Sequence, residues 1–492
     1  MADLPDPGAF GAAFEAFMAA MTAAANRGEP AILGRLRDHL GHDPKELPTT
    51  GTEFRQTEQA NLQLAIEAVL PEAEILGFTS LHHGFGQVGL AEILEATAMG
   101  GPVSFGPVQY IDVEVGDGRV IACVATGVLL AVHGGAPIAL VLSRGAEHPM
   151  QPPSLKLEGV SPEQGAVSGL LRELRRAMRE HSVFRGRIIS LHQSGERTVA
   201  VQFHAVPTVD RTGVILPEGV LDRLERHTLG VAENADRLRA AGRHLKRGVL
   251  LHGPPGTGKT LSVMYLLRAM AGRTTILLTG RGLGYIEQAL AIGRDLAPAT
   301  FVFEDIDLVA AERTMPFGGG GVLFELLNQM EGLAEDEDLL FLLTTNRPDM
   351  IEPALAARPG RVDLALEIGL PDDDGRRRLF GLYGAGIPLD DPTRDDLVGR
   401  SAGVTGAFIK ELVRQAWLRA ALDHRDTPTP DDLRTVLDEL LDERSTLTRR
   451  LLGQPGDGPP SGAGPDGLPG MRSALRAAGL PFPTPHPFVD LG

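Results

Sequence analysis

Only one cysteine, Cys123, stands among the 492 residues. No disulfide can therefore form within the chain, and a thiolate metal cluster is not expected. Basic residues are also scarce: 47 Lys and Arg against 64 Asp and Glu leave a net charge of −17. That balance argues against tight nucleic-acid binding, which needs cations against phosphates, and against docking on anionic lipid. No apolar run is long enough to span a bilayer. The most apolar stretch, residues 120–145, is split by Gly134-Gly135 and Pro137 and carries His133 in its middle. Two strands around a Gly-Gly turn fit it better. The opening MADLPDPGAFGAAF places Asp3 and Asp6 where a secretory signal carries basic groups. The expectation is a cytoplasmic chain with no membrane span and no nucleic-acid partner.

An apolar content of 43% is enough for real cores, and a prior of roughly 150 residues per domain suggests about three domains. Residues 8–25 put Phe10, Phe14, Phe17, Met18 and Met21 at helical spacing, an amphipathic helix expected to pack on its own domain. Residues 55–78 read as helix, 108–143 as three strands with Gly-Asp-Gly and Gly-Gly turns, 161–182 as helix and 186–206 as a hairpin. This half holds no Gly-x-Ser-x-Gly elbow. His82-His83 has no matching carboxylates or thiols and reads as surface or core rather than ligand.

The pattern changes near residue 225, where strands begin to alternate with helices, as in a parallel sheet covered by helices. Residues 375–445 read as helical. In 453–470, 12 of 18 residues are Gly or Pro, too few apolar groups for a core. The fold class is thus α/β, with an N-terminal α+β domain at 1–225, the alternating unit at 226–374, a helical lid at 375–445 and a disordered tail at 446–492.

GPPGTGKT follows the strand GVLLH and opens a helix. It matches the phosphate-binding loop G-x-x-x-x-G-K-[ST] at every position: Gly253, Pro254, Pro255, Gly256, Thr257, Gly258, Lys259 and Thr260. The glycines let backbone N–H groups turn inward around phosphate oxygens, and the helix N-terminus adds a favourable dipole. Lys259 reaches the β- and γ-phosphates, and the Thr260 hydroxyl holds Mg²⁺. A chance Gly-rich turn is the bland alternative, and the strand–loop–helix context argues against it. FVFED supplies carboxylates 45 residues after Lys259. Register gives Glu304 to the metal and Asp305 to the attacking water. Asp305 is one methylene shorter than Glu, so the water must sit closer or the backbone must advance. Asp307 reads as a loop or helix-cap residue. Asn346 ends a later strand, within reach of the γ-phosphate or the water. Arg358 and Arg361 follow it, able to neutralise charge in phosphoryl transfer; alone they would read as a solvated turn.

GPPGTGKT, FVFEDID, LLNQMEGL (326–333), TTNRPD, PALAARPGRVD and GVTGAFIKELVRQA (403–416) occur in the order and spacing of the AAA clade of AAA+ ATPases. Over residues 226–445 the chain resembles that family. The resemblance implies an ATP-driven ring, usually a hexamer, that uses ATP and Mg²⁺ to remodel, unfold or translocate a protein substrate. It implies that Asn346 is the polar sensor, that Arg358 and Arg361 reach the neighbouring subunit's nucleotide, and that Gly406 and Ala407 are lid residues beside the nucleotide. The Glu-Asp order resembles that of the mitochondrial AAA protein that translocates a folded Rieske subunit.

The chain departs from the family in three places. PALAARPGR has one residue more than the usual pattern, so Arg361 fits it better than Arg358. RGLGYIEQ (281–288) stands where an aromatic pore loop belongs, leaving Tyr285 as pore residue or first-turn packing. ERTMPFGGGG (312–321) offers Met315 and Phe317 as substrate contacts or a plain linker. The leading expectation is a remodelling ring whose N-terminal domain binds the partner and is dispensable for nucleotide binding. An ATP-switched scaffold with slow hydrolysis is the alternative, and a DNA-acting motor is disfavoured by the acidity.

Overall fold

Gly134 and Gly135 take φ values of 60° and 86°, both in the left-handed region that a two-residue hairpin turn demands. They close β5 (Val120–His133) onto β6 (Ala136–Arg144), with His133 opposite Ala136. The expected pair of strands is therefore formed. The computed structural model describes residues 11, 13, 14, 16 and 17, then 31–80, 89–98, 103–145, 154–194, 198–307, 329–330, 332, 336–349 and 362–451. Phe10, Met18, Met21, His82, His83, Met315 and Phe317 lie outside these residues, as does the chain beyond residue 451. Of the expected amphipathic helix, Phe14 and Phe17 are described and exposed.

The hairpin belongs to an antiparallel sheet ordered β1 (Thr50–Arg55), β7 (Ser154–Val160), β6, β5, β2 (Glu74–Ser80), β3 (Val103–Gly106), with β4 (Gln109–Glu114) also pairing β5. Both faces of β5 and β6 are covered, so these two strands read as near-continuous apolar runs. Val128 and Leu130 face Ile32 and Leu36 of α1 (Ala31–Leu40). Leu129 and Ala131 face Leu62 and Ile66 of α2 (Gln59–Val69). Helix α3 (Leu90–Ala98) joins α1, and α4 (Ala166–Glu180) joins α2. The helix expected over 55–78 thus ends at Val69, and Glu74–Ser80 is strand.

The second sheet runs β14 (Leu364–Glu367), β10 (Arg247–His252), β13 (Leu339–Thr345), β12 (Ala299–Phe303), β11 (Thr274–Leu278), β8 (Ile188–Ser194), β9 (Thr198–His204). All neighbours are parallel except β8 and β9. The short helices α5 (Val220–His227), α6 (Leu229–Glu233) and α7 (Ala235–Ala240) lie between β9 and β10 in the chain. Helix α8 (Lys259–Ala269) covers one face, with Val263 and Leu266 against Val249, Leu251 and Leu342. Helix α9 (Ile286–Asp295) covers the other, with Ile286 and Leu290 against Phe301, Phe303 and Phe341. A methyl on Gly293 would lie 2.2 Å from Phe301 Cζ, so only glycine lets α9 sit this close.

The boundary expected at residue 225 is crossed by this sheet. The hairpin expected at 186–206 pairs along β11, Ile188 opposite Thr275 and Ile189 opposite Ile276. Ile188 joins one apolar layer and Ile189 the other. Val214, Leu216 and Leu224 also sit in the layer under α8. The first motif begins at Gly253, so the sequence showed no reason to look further back than the change of pattern at 225.

The chain divides after Glu411, inside α12 (Gly406–Leu422). The first unit keeps α10 (Asp373–Tyr383) and α11 (Asp391–Arg400) of the expected lid. The second holds the rest of α12 and α13 (Pro430–Leu451), where Asp432 accepts from Arg425 and from the Thr429 N–H and hydroxyl. Helix α13 passes the expected tail boundary at 446.

Removing residues 1–225 strips seven buried apolar side chains from the two layers of this sheet, Phe184, Ile188, Ile189, Leu191, Val214, Leu216 and Leu224. At about 1.5–3 kcal/mol each, that loss rivals the roughly 5–15 kcal/mol that holds a domain together. A chain starting at residue 226 is expected to lose its cooperative thermal transition and its ATP binding. One starting at residue 183 is expected to keep both, as differential scanning fluorimetry and titration with fluorescent ATP will show.

Candidate nucleotide site

Strands β10, β12 and β13 end together. Phe303 stands opposite Leu343, and His252 opposite Thr345. The loop 253–258 leaves β10 with Gly253, Gly256 and Gly258 at φ values of 144°, 79° and 111°. These are left-handed or wider angles that side chains resist. Gly253 has a second reason: a methyl there would lie 2.2 Å from the Ile368 carbonyl oxygen. Lys259 is buried and donates from Nζ to the Gly253 and Pro254 carbonyls, each at 2.8 Å. Burial lowers its pKa, against the opposing pull of Asp305 and Asp307. Thr257 donates its hydroxyl to the Pro254 carbonyl at 2.9 Å.

At the end of β12 the half-buried Glu304 accepts a hydrogen bond from Thr260. Burial raises its pKa, that hydrogen bond lowers it, and Asp305 raises it again. Acidification therefore neutralises Glu304 at a higher pH than an ordinary glutamate. Asp305 leaves the extended conformation with φ of 50°. Asp and Asn adopt this region more readily than other residues with a Cβ. That preference supplies a physical reason for aspartate, rather than glutamate, at the second carboxylate. The Asp305 N–H donates to the Thr344 hydroxyl at 3.0 Å. Asn346 donates from Nδ2 to Asp305 Oδ1, also at 3.0 Å. The structure thus brings Lys259, Thr260, Glu304, Asp305 and Asn346 to one end of the sheet.

Two contributions were missed in the sequence. Asp307, expected to be a loop or helix-cap residue, is 7% exposed. Its Oδ1 accepts from the Thr345 hydroxyl at 2.9 Å and from the Asn346 N–H at 3.1 Å. It ties the carboxylate strand to the Asn346 strand. Its place two residues beyond Asp305, beside a Thr-Thr-Asn strand end, was the only available signal. Leu216 packs beside the loop, with its Cδ2 3.5 Å from where a Gly258 methyl would stand.

Of the residues expected in the lid, Ala407 donates its N–H to the Gly256 carbonyl at 3.0 Å, and Gly406 lies alongside. A Gly256 methyl would meet Ala407 Cβ at 2.9 Å. Tyr285 packs against the α9 core layer, in accord with the packing reading. Arg358 and Arg361 lie outside the described residues.

The family described as "ATPase family associated with various cellular activities (AAA)" matches residues 249–370. The chain is similar to the ATP-dependent zinc metalloprotease FtsH of Hahella chejuensis, 34% identical over 209 residues, 39% of this chain and 33% of that protein. The FtsH of Thermus thermophilus is 34% identical over 227 residues, 42% of this chain and 36% of that protein. The FtsH of Mycobacterium tuberculosis strain H37Rv matches at 34% over 227 residues, 42% of this chain and 29% of that protein. The chain spans about a third of the length of the curated relatives it matches. It contains no His-Glu-x-x-His, the zinc-binding pattern of many metalloproteases. Among the described residues no group of three or more His, Cys, Asp or Glu could hold a metal ion, and no helix is long and apolar enough to cross a membrane. Residues 249–370, with the phosphate loop, the Glu304-Asp305 strand end and Asn346 converging at one edge of a parallel sheet, are an AAA ATPase domain.

Proposed function

We propose that the chain is a Mg²⁺-dependent ATPase that assembles into a ring and uses a phosphate loop, two carboxylates and an arginine from the neighbouring subunit to remodel, unfold or translocate protein. The observation that carries this reading is the Asn346–Asp305 hydrogen bond at 3.0 Å beside the loop of Lys259. It joins a water-activating carboxylate to a polar sensor at the mouth of a phosphate cradle. A cytoplasmic location and a hexameric ring belong to the same proposal.

Lys259 gives its ammonium to the β- and γ-phosphates, exchanging two loop carbonyls for them. The loop N–H groups and the start of α8 hold the remaining oxygens. The Thr260 hydroxyl and Glu304 carboxylate, already hydrogen-bonded, are the hard oxygen pair suited to magnesium. When bound, magnesium neutralises charge on the β- and γ-phosphate oxygens. Asp305 accepts the proton of the attacking water, and Asn346 fixes the carboxylate that does so. Ala407, hydrogen-bonded to the loop, reports its occupancy to α12. Arg361, and Arg358 three residues earlier in the sequence, act on the neighbouring subunit's nucleotide, a role carried by the resemblance.

A scaffold that binds ATP to assemble and hydrolyses it slowly is the second reading. The left-handed backbone of Asp305, uncommon for a residue with a side chain, favours it. Steady-state turnover with and without magnesium separates the two.

Asp305→Asn is expected to bind Mg-ATP normally and to lose turnover by about 10²–10⁴-fold; wild-type turnover would remove Asp305 from the mechanism. Arg361→Ala is expected to bind ATP and barely hydrolyse it, and Lys259→Ala to fail at binding. Co-expressing the two inactive variants is expected to restore part of the activity, because some intact sites then face intact fingers. Background activity in mixed rings verified by native mass spectrometry would count against a shared site.

Asp307 offers a finer test. Asp307→Asn keeps an acceptor oxygen for Thr345 and Asn346 and is expected to stay within a few-fold of wild type. Asp307→Ala releases both donors, and a displacement near 1 Å at Asn346 is enough to cost about 10²-fold in kcat. ATP affinity, set by the phosphate loop, is expected to change little in either variant. Equal kcat for the two would show that the bonds to Asp307 position nothing.

A further inference from the structure

A cleft of about 820 Å³ opens in the first unit and shares no lining residue with the nucleotide site. Arg175, Met178 and Arg179 of α4 form one wall, and Gln288, Ile292 and Asp295 of α9 the other. Its base is the end of β1: Glu53, Phe54 and Arg55 all line it. Side chains alternate between faces along a strand, so three consecutive residues face one cleft through the strand's edge. Strand β1 is the terminal strand of its sheet, paired with β7 alone among the described residues.

The direction of that edge can be read from one bond. The Arg55 N–H turns away from β7 and donates to Glu58 Oε2 at 2.8 Å. In an antiparallel ladder alternate residues turn their N–H and C=O to the same side. Glu53 and Gly51 therefore present theirs at the open edge. The neighbouring Thr57, which also lines the cleft, has a buried hydroxyl without a hydrogen-bond partner.

We propose that this cleft binds an extended stretch of unfolded polypeptide, which adds to the edge of β1 through main-chain hydrogen bonds. A free strand edge is satisfied by another strand, and Gly51 and Glu53 supply the donors and acceptors at strand spacing. Arg55, Arg175 and Arg179 stand against Glu53, Glu58 and Asp295, three charges of each sign, and none of Glu53, Arg55, Arg179 and Asp295 makes an ion pair among the described residues. The cleft is thus balanced in charge, and the occupant is recognised by its main chain rather than by a charged sequence. The choice of an unfolded segment rests on the reading of the chain as a protein-remodelling ATPase.

The probe is a reduced, carboxymethylated and permanently unfolded protein carrying a fluorophore. It is titrated into the full chain, and binding is read by anisotropy. Glu53→Pro removes the outward N–H and leaves the β7-facing groups of Thr52 and Phe54 in place, a position where an edge strand tolerates proline. Affinity for the probe is expected to fall about tenfold or more, since a main-chain bond and the fit around it are lost. ATP affinity and the thermal transition are expected to stay unchanged. Should Glu53→Pro fail to fold, Gln288→Trp fills the cleft from the opposite wall and carries the same expectation. Hydrogen exchange at the Gly51 and Glu53 amides is expected to slow when the probe is added to the wild-type chain. Wild-type affinity in either folded variant, or unchanged exchange at both amides, would overturn the proposal. A chain that binds the probe at this edge without hydrolysing ATP defeats the proposed function and leaves the cleft standing. One that hydrolyses ATP and ignores the probe defeats the cleft alone.

Discussion

The nucleotide site depends on the alignment of two parallel strand ends, β12 and β13, and a buried carboxylate holds that alignment. Asp307 accepts from the Thr345 hydroxyl and the Asn346 N–H, while the Asp305 N–H returns a bond to Thr344. The two strands are thus tied beyond their last ladder pair, Phe303 with Leu343. Without these ties the carboxylates and the asparagine would sit on separate loops, each free to wander. A buried carboxylate stripped of its donors costs several kcal/mol, so the latch is strongly held once formed. Its rigidity lets a single hydrogen bond, Asn346 to Asp305, fix where the second carboxylate stands.

The phosphate loop was legible because its chemistry is contiguous. Eight adjacent residues specify the turn, the cation and the Thr260 hydroxyl, and a strand and a helix flank them. The Gly134-Gly135 hairpin was legible for the same local reason. What escaped was non-local. Nothing in residues 188–204 distinguishes a hairpin of the first sheet from one that extends the second; the decision is made by the edge of β11, some seventy residues on. Asp307 looked like a cap because its partners, Thr345 and Asn346, lie 38 and 39 residues away. The left-handed φ at Asp305 was equally hidden, though aspartate in place of glutamate was its trace. In each case the deciding contact was set by packing rather than by the residues next in line.

Helix α9 connects the two sites. Its outer side lines the cleft with Gln288, Ile292 and Asp295. Its inner side presses Gly293 against Phe301 of β12, and Phe301 stacks on Phe341 of β13 with ring centroids 4.9 Å apart. Three residues beyond Phe301 stands Glu304, and five beyond Phe341 stands Asn346. A displacement of α9 by an occupant would therefore meet a close-packed aromatic stack, which does not deform gradually. Coupling requires that the occupant favour one of two arrangements of that stack, since a ligand indifferent to both shifts nothing. Gly293 is where such a preference would enter: with no side chain between helix and ring, a change in the seat of α9 passes directly to the strand that carries the carboxylates.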